Sequence, residues 1–428
     1  NGTSYDVLAL VSGRIGGVAE LYLHDDVVDV DGSGTVQGFP DGRYGGGRVK
    51  ILTRNGQATE TAYAEVVAAL PSIWTPNHRG DGIASLALIC AGVKAEDFTT
   101  VYPHGLPQPS AVMDLYPVWD PRDPAQSRDN PATWTVKDNP VLALIDYLTH
   151  PDHGMGLDYD SVIAPAIDEW MAEADLCDAP VAKRSGGTER RYRANGWYTF
   201  DTKPEDVLGA LLSTCDGWLA EDADGVLRLY VGVYRAPDDR LTIRERHVLA
   251  FSVQHGVADE ERINEIAISY ISPDHRYKEV QCQPWRDEAD ISATGRVRSQ
   301  QLSLSWVQSH SQARRLAKRA MARFAAPMRG EMTLTLFGLA LLGRRWAPVQ
   351  LPFVAGLEDA VVEIQGARVD LAHGRVTIQW IVVDPATIDA WDPAMEEGDP
   401  PPVPDPGPGQ STLAPPTNLV AAPDIRPP

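Results

Sequence analysis

Side chains able to do chemistry are plentiful in this chain but poorly clustered. His150 and His153 are the only close pair of histidines, in an Asp-flanked turn that could hold a metal ion. A plain turn is much the stronger reading. His78 and Arg79, within Ile73 to Ala84, could serve as ligands or catalysts, but a polar loop pinned by Trp74 accounts for them better. The stretch DVDGSGTVQG suggests a calcium loop. With Gly32 at the sixth position, however, Val27 and Gly38 fall where carboxylates are required. Gly32-Ser33-Gly34 fails as a dinucleotide fingerprint because the next glycine, Gly38, comes one position late and no helical pattern follows. Gly42 to Arg48 could cradle phosphate, although a mobile surface loop is favoured.

H-E-x-x-H, G-x-S-x-G, Walker and S-x-x-K signatures are absent from the sequence. A glycosidase needs two carboxylates facing each other across a cleft, and no motif nominates a pair. The chain therefore reads as a non-enzyme, with no cofactor and no metal expected. Cys90, Cys177, Cys215 and Cys282 are scattered without a C-x-x-C pair. They read as small buried hydrophobes in a protein folded in a reducing cytoplasm.

The most informative charges are basic. Ser311 to Phe324 reads as a helix with Ala313, Leu316, Ala317, Ala320, Met321 and Phe324 on one stripe, and Arg314, Arg315, Lys318, Arg319 and Arg323 over much of the rest. Three readings compete, in this order: a solvated face, partners for acidic neighbours, and contacts to DNA. Arg190, Arg191 and Arg193 form a second group in the loop KRSGGTERRYR; they could meet a neighbouring subunit or phosphate, with a solvated loop favoured.

Several elements would position these groups. Asp138 to Leu157 starts a helix with Asn139 as N-cap and Pro140 at the first helical position, places Leu144, Ile145 and Leu148 on one face, and stops at Pro151. Ser161 to Ala174 predicts one amphipathic helix. Thr202 to Glu205 reads as a capping box for the next, which Gly217 ends before a hairpin over Trp218 to Val231. Strands are expected at Tyr5 to Val11, Ala19 to Val28, Arg48 to Arg54, Ser85 to Ala91, Asn264 to Ile271, Glu331 to Phe337, Ala360 to Leu371 and Arg375 to Asp384. Glu396 to Gly409 is a proline-rich spacer.

The 428 residues suffice for two to four domains, and 43% hydrophobic content excludes wholesale disorder. Glycine (36) and proline (34) point to many turns and a β-rich fold. No apolar run approaches the ~20 residues of a membrane helix, and no signal peptide is evident. The chain begins without Met and reads as part of a longer protein. A net charge of -21 argues against stable wrapping of nucleic acid, yet it would suit a channel through which DNA must slide.

In their shared order, several stretches resemble the tip attachment protein J family, the central hub proteins of long-tailed phages. The Asp-Asn-Pro helix ending in Gly-Met-Gly-Leu carries the resemblance, as do Ile73 to Ala84 and the strand closed by Asp120-Pro121-Arg122, where Trp119 replaces the family's Tyr. So do the helix-to-hairpin order around Asp222 to Gly225, the Asn264 strand with His275 and Tyr277 behind it, and the Ser311 helix. The likeness spans Ile73 to Asp384 and is poor before Ile73.

That resemblance implies an α+β, predominantly antiparallel β fold with baseplate-hub-like tube domains and a helical insertion. The expected division is a first β-rich domain at 1–125, a helical domain with a hairpin at 126–235, and a second β-rich domain at 236–392 that includes helix 311–324. The spacer at 393–428 leads to a fibronectin type III-like start at Pro415 to Ala421. A homotrimer is implied, made in the host cytoplasm and placed at the virion's tail tip, that closes the tail tube. Its implied partners are the distal tail protein, the tape-measure protein, other tail tip proteins, DNA in transit, and a host receptor reached through further domains. A gene transfer agent hub fits equally. The competing class is an extracellular bacterial carbohydrate-active enzyme or adhesin with fibronectin modules. On the hub reading the Arg314 to Arg323 face should lie under acidic protein surface, with a net negative lumen.

Overall fold

A run of apolar residues buried on both faces organises the first β unit. The computed structural model describes residues 2–114, 116–258 and 262–403. The spacer beyond 403 and the fibronectin-like start therefore lie outside the described residues. Strands β1 (Ser4–Ser12), β2 (Val18–Leu23), β3 (Asp26–Val28) and β4 (Val49–Asn55) precede helix α1 (Ala64–Ala69). Then come β5 (Ile83–Cys90), α2 (Ala95–Val101) and β6 (Pro109–Met113). β5 is the middle of the antiparallel sheet β1-β5-β4. Its alternate residues serve two cores: Leu86, Leu88 and Cys90 face Leu23, Val49, Ile51 and Tyr102, while Ala87 faces Tyr63 and Val66. The strand expected over Ala19 to Val28 breaks into a hairpin at His24, which adopts a left-handed φ of 53°. Gly42 to Arg48 is less mobile than its composition suggests, because Tyr44 is fully buried and Arg43 pairs with Asp26 at 2.6 Å.

The middle stretch adds β7 (Pro117–Val118), β8 (Thr135–Val136), α3 (Pro140–Thr149), α4 (Tyr159–Val162) and α5 (Ile167–Asp178), then β9 (Pro180–Ala182) and β10 (Thr188–Arg190). α6 (Pro204–Thr214) and the hairpin β11 (Trp218–Glu221) and β12 (Leu227–Tyr230) complete it. Asn139 caps α3 as read, its Oδ1 accepting the Val141 amide at 3.0 Å. The single helix expected over Ser161 to Ala174 is instead α4, a 3-10 turn at Ala164–Ala166, and α5. Pro165 explains the break, since it cannot donate the helical hydrogen bond. The Thr202 capping box does not form; Lys203 is the N-cap and the Thr202 hydroxyl accepts the Thr199 amide.

The remainder holds β13 (Ile243–Arg244), β14 (Val248–His255), β15 (Glu265–Ser272), β16 (Lys278–Arg286), α7 (Glu288–Thr294) and β17 (Ser299–Leu304). α8 (His310–Phe324), β18 (Met328–Leu334), β19 (Trp346–Gln350), β20 (Ala360–Asp370) and β21 (Arg375–Val382) follow, with the short helices α9 (Pro385–Asp389) and α10 (Pro393–Glu396). Six strands pair in the order β13-β19-β20-β21-β18-β14. Only three residues join its two edges, β13 and β14, which limits Arg244 and Val248 to within ~14 Å and curls the sheet around its core. Met332, Leu334, Val349, Val362, Ile378 and Trp380 fill that core. A separate sheet sets β15 between antiparallel β16 and parallel β17, and α8 packs across it. The fold is α+β with mostly antiparallel sheets.

The largest buried cluster crosses residue 235. It joins α3, α5 and α6 to Ile266, Ile268, Tyr270, Ala313, Leu316 and Met321. α8 is therefore packed against the helical stretch and tied to the curled sheet as well. Phe324, expected on its buried stripe, is 38% exposed at the helix end. No helix among the described residues is long and apolar enough to cross a membrane.

Candidate functional site

α8 starts with Ser309, whose hydroxyl accepts the Gln312 amide at 3.2 Å, and nearly every residue in its first three turns is buried. Its cations therefore do not form a solvated face. Arg315 donates to Glu189 at 2.8 Å and to the Arg191 carbonyl at 2.6 Å. Arg314 stacks 4.7 Å over Trp285 and donates to the carbonyls of Gln283 and Glu396. Lys318 reaches the Ala390 carbonyl and the Glu396 carboxylate, each at 2.5 Å.

Arg319 and Arg323 enter a denser cluster. Asp216, just past the end of α6, takes the left-handed φ of 50° that turns its carboxylate inward. It accepts from Arg319 at 2.6 Å, from Arg323 at 2.6 and 2.7 Å, and from Arg345 at 3.2 Å. Glu363 on β20 accepts from Arg323 at 3.0 Å and Arg345 at 3.1 Å, and Asp389 on α9 accepts from Arg319 at 2.5 Å. Three guanidiniums thus meet three carboxylates, and one cluster joins α6, α8, β20 and α9. Burial works against the Asp216 carboxylate, but the charges of Arg323, Arg345 and Arg319 outweigh it and hold its pKa far below the usual range. Burial likewise opposes the charged forms of Arg319 and Arg323, yet their acidic partners raise both pKa values. Gly232 lies against the cluster: a Cβ there would come within 2.7 Å of Asp216 and 2.8 Å of Arg319.

The second basic group is fastened nearby. Arg190 donates to Asp138 at 2.6 Å, and Arg193 pairs with the other oxygen of the same carboxylate. The Arg191 amide donates to the Ala179 carbonyl at 2.9 Å. Arg122, from the Asp-Pro-Arg corner, binds Asp120, Asp175 and Asp178, which ties that corner to α5. Within α5, buried Glu173 pairs with Arg235 and accepts the Val231 amide at 2.8 Å. Sequence reading selected the α8 cations by their concentration but missed Asp216, Arg345, Glu363, Asp389 and Glu173. Only the Asp216-Gly217 pair after a helix gave a local hint.

The other chemical candidates stay apart. His150 and His153 stack with centroids 3.4 Å apart, and His153 Nε2 lies 3.1 Å from Asp146. Burial and the neighbouring His153 push the His150 pKa down. Among the described residues no group of three or more His, Cys, Asp or Glu side chains could hold a metal ion. His78 stacks on Trp74 at 5.0 Å while Arg79 pairs with Asp81. All four cysteines are buried and free. A cleft of about 230 Å³ beside Arg314, lined by Gln283, Pro284, Arg286 and Glu288, is smaller than usual small-molecule sites. What the arrangement can do is mechanical: it locks the helical stretch, the curled sheet and the C-terminal segment to one another.

Residues 203–340, which carry α6, Asp216 and α8, match a family model described as "Putative phage tail protein". No curated protein matches. Among solved structures, a chain from the virion of a native gene transfer agent particle shares the fold: TM-score 0.55 at 17% identity, over 91% of this chain and 80% of that one. The 43 kDa tail protein of prophage MuSo2 from Shewanella oneidensis aligns at TM-score 0.33 and 14% identity, over 73% of this chain and 76% of that one. A tail protein from Neisseria meningitidis MC58 also aligns at 0.33, with 12% identity over 92% of this chain and all of that one. The last two likenesses are too loose to carry structural weight.

Proposed function

We propose that this chain is a structural hub protein at the distal tip of a phage or phage-like tail. It acts as a homotrimer whose copies each contribute two β-rich units, 1–125 and 236–392, to a ring around a lumen. The helical stretch 126–235 packs against that ring as an insertion. The hub closes the tail tube and binds the distal tail ring, the tape-measure protein and other tip proteins. It opens for DNA, and it carries receptor-reaching domains farther along the polypeptide.

The observation that carries this reading is a pair of long sheet edges with little charge. β1 and β14 each end a sheet with no partner on the outer side among the described residues. Their nine and eight residues include a single carboxylate, Asp6, and no Lys or Arg. Free-standing proteins normally guard such edges with charge or cover them. Leu249 and Phe251 on β14 are 59% and 46% exposed, which suits a surface made to be covered by a neighbouring copy. The tail-family match over residues 203–340 supports the same setting.

Imaging of assembled particles with this chain tagged tests the proposal. Three copies in a ring at the distal tip are expected, and light scattering of the trimer formed by these 428 residues should give three times their 46.6 kDa mass. A position along the tail shaft, or a particle lacking the chain, overturns it.

A further inference from the structure

Two large aromatic rings stand almost bare on an otherwise rigid loop. Trp197 is 79% exposed and Phe200 is 72% exposed, although Tyr198 between them is anchored. Tyr198 stacks with Trp306 at 6.1 Å, packs edge-on against Tyr147 at 5.5 Å, and donates its hydroxyl to the His153 carbonyl at 2.7 Å. The loop entrance is fixed by the Asn195 amide on the Trp306 carbonyl at 2.9 Å. At Gly196 a Cβ would fall 2.2 Å from the Trp306 ring, so only glycine lets the backbone lie that close. The loop exit is held by the Tyr147 hydroxyl on the Pro204 carbonyl at 3.5 Å. The turn that accepts the Tyr198 hydroxyl also bears Met155, 41% exposed.

Braced backbone and exposed aromatic rings are what a binding anchor requires. The ordering cost is met before the partner arrives, and Trp supplies much area per side chain. The rim decides what fits. Asp201, Glu205 and Asp206 follow the rings along the chain and are exposed, with Lys203 the one cation among residues 197–206, and exposed Asp152 sits beside His153, whose carbonyl holds Tyr198. An anionic lipid surface would be repelled by this rim, and so would a second copy presenting the same acidic surface. We infer that Trp197 and Phe200 are docking anchors for a different protein, one that offers an apolar pocket rimmed by Lys or Arg. This rests on the tail reading only in supposing that the partner belongs to the same particle.

The test compares hydroxyl-radical labelling of the free chain and of assembled particles, with a photo-cross-linking amino acid at position 197 in parallel. Trp197 and Phe200 should react readily in the free chain, become protected on assembly, and cross-link to a Lys- or Arg-bearing peptide of another tail protein. The double variant W197A/F200A should keep the wild-type melting temperature, since both rings are exposed. It should lose to wild type by about thirtyfold or more in competition for incorporation. Asp201→Lys with Glu205→Lys should weaken incorporation in the same direction. Unchanged labelling in particles that contain the chain overturns this inference and leaves the hub reading standing. Cross-linking only to another copy of this chain also overturns it, as does co-sedimentation with phosphatidylglycerol vesicles that W197A/F200A abolishes. Absence of the chain from particles defeats the hub reading itself.

Discussion

Asp216 shows how one side chain can set the cost of the whole central cluster. Its two oxygens receive three guanidiniums, and two of these, Arg319 and Arg345, are 5% and 2% exposed. Removing one partner from such a buried group leaves charge without compensation, which typically costs ~3–5 kcal/mol. Asp216→Asn is the clean test, because asparagine tolerates the left-handed φ and removes only the charge. Urea unfolding should show a loss of that order, with the m-value unchanged. The pH sign follows from the lowered folded pKa: the contribution is present above the unfolded value of ~3.9 and is lost only as pH falls through the folded one. Asp216→Asn should therefore cost the same at pH 6 and pH 8. A loss under 1 kcal/mol would mean that Glu363 and Asp389 satisfy the arginines alone. Little of this was legible beforehand. Arg314 to Arg323 announced themselves as five cations in one helix, but their partners lie far along the chain, and spacing rules say nothing about contacts at that separation.

Elements were easier to read where the local rule and the tertiary packing agree. The Asn139-Pro140 start of α3, the doubly buried β5 and the β20–β21 pair follow from capping, apolar runs and alternation. Reading failed where one residue overruled a pattern, as Pro165 did in splitting α4 from α5 and His24 in folding β2 onto β3. It also failed for the C-terminal strap, α9 and α10, whose few apolar residues give no signal. That strap is held instead by α8 cations on its helix-end carbonyls: Arg319 on Ile388, Lys318 on Ala390 and Arg314 on Glu396. His310 adds a titratable link, its Nε2 lying 2.9 Å from the Glu397 carbonyl. Burial lowers its pKa; the Glu397 bond and the Glu397 and Asp399 charges oppose the shift, and Arg314 reinforces it, while Tyr270 offers only its ring. A lowered histidine contributes stability that is present above the unfolded value of ~6.5 and lost as pH falls through the folded one. Protection factors of the 385–399 amides, which divide out the intrinsic pH dependence of exchange, should thus fall between pH 7 and pH 5 in the wild type. His310→Gln, which keeps a donor for Glu397, should remove that fall. An equal fall in both proteins would place the effect elsewhere.

For the whole molecule, a net charge of -21 sets two kinds of electrostatics against each other. Inside the chain the ion pairs of the central cluster are buried, as at Glu363 with Arg345, and added salt screens them weakly. Between copies the surplus carboxylates face water, and bringing three such chains together works against repulsion over the ~10 Å Debye length at 0.1 M. If the copies meet through the apolar edges β1 and β14, nothing in those edges offsets that repulsion by opposite charge. Trimer formation should then strengthen as sodium chloride rises from roughly 0.02 to 0.3 M, while the urea midpoint of the unassembled chain moves little. Leu249→Lys, which puts an ammonium on the 59% exposed position of β14, should abolish the trimer at either salt without lowering the melting temperature. Analytical ultracentrifugation across the salt series reads both effects. A trimer that dissolves as salt rises would reverse the argument: the copies would then be joined by opposite charges across their interface, and Leu249 should tolerate the lysine.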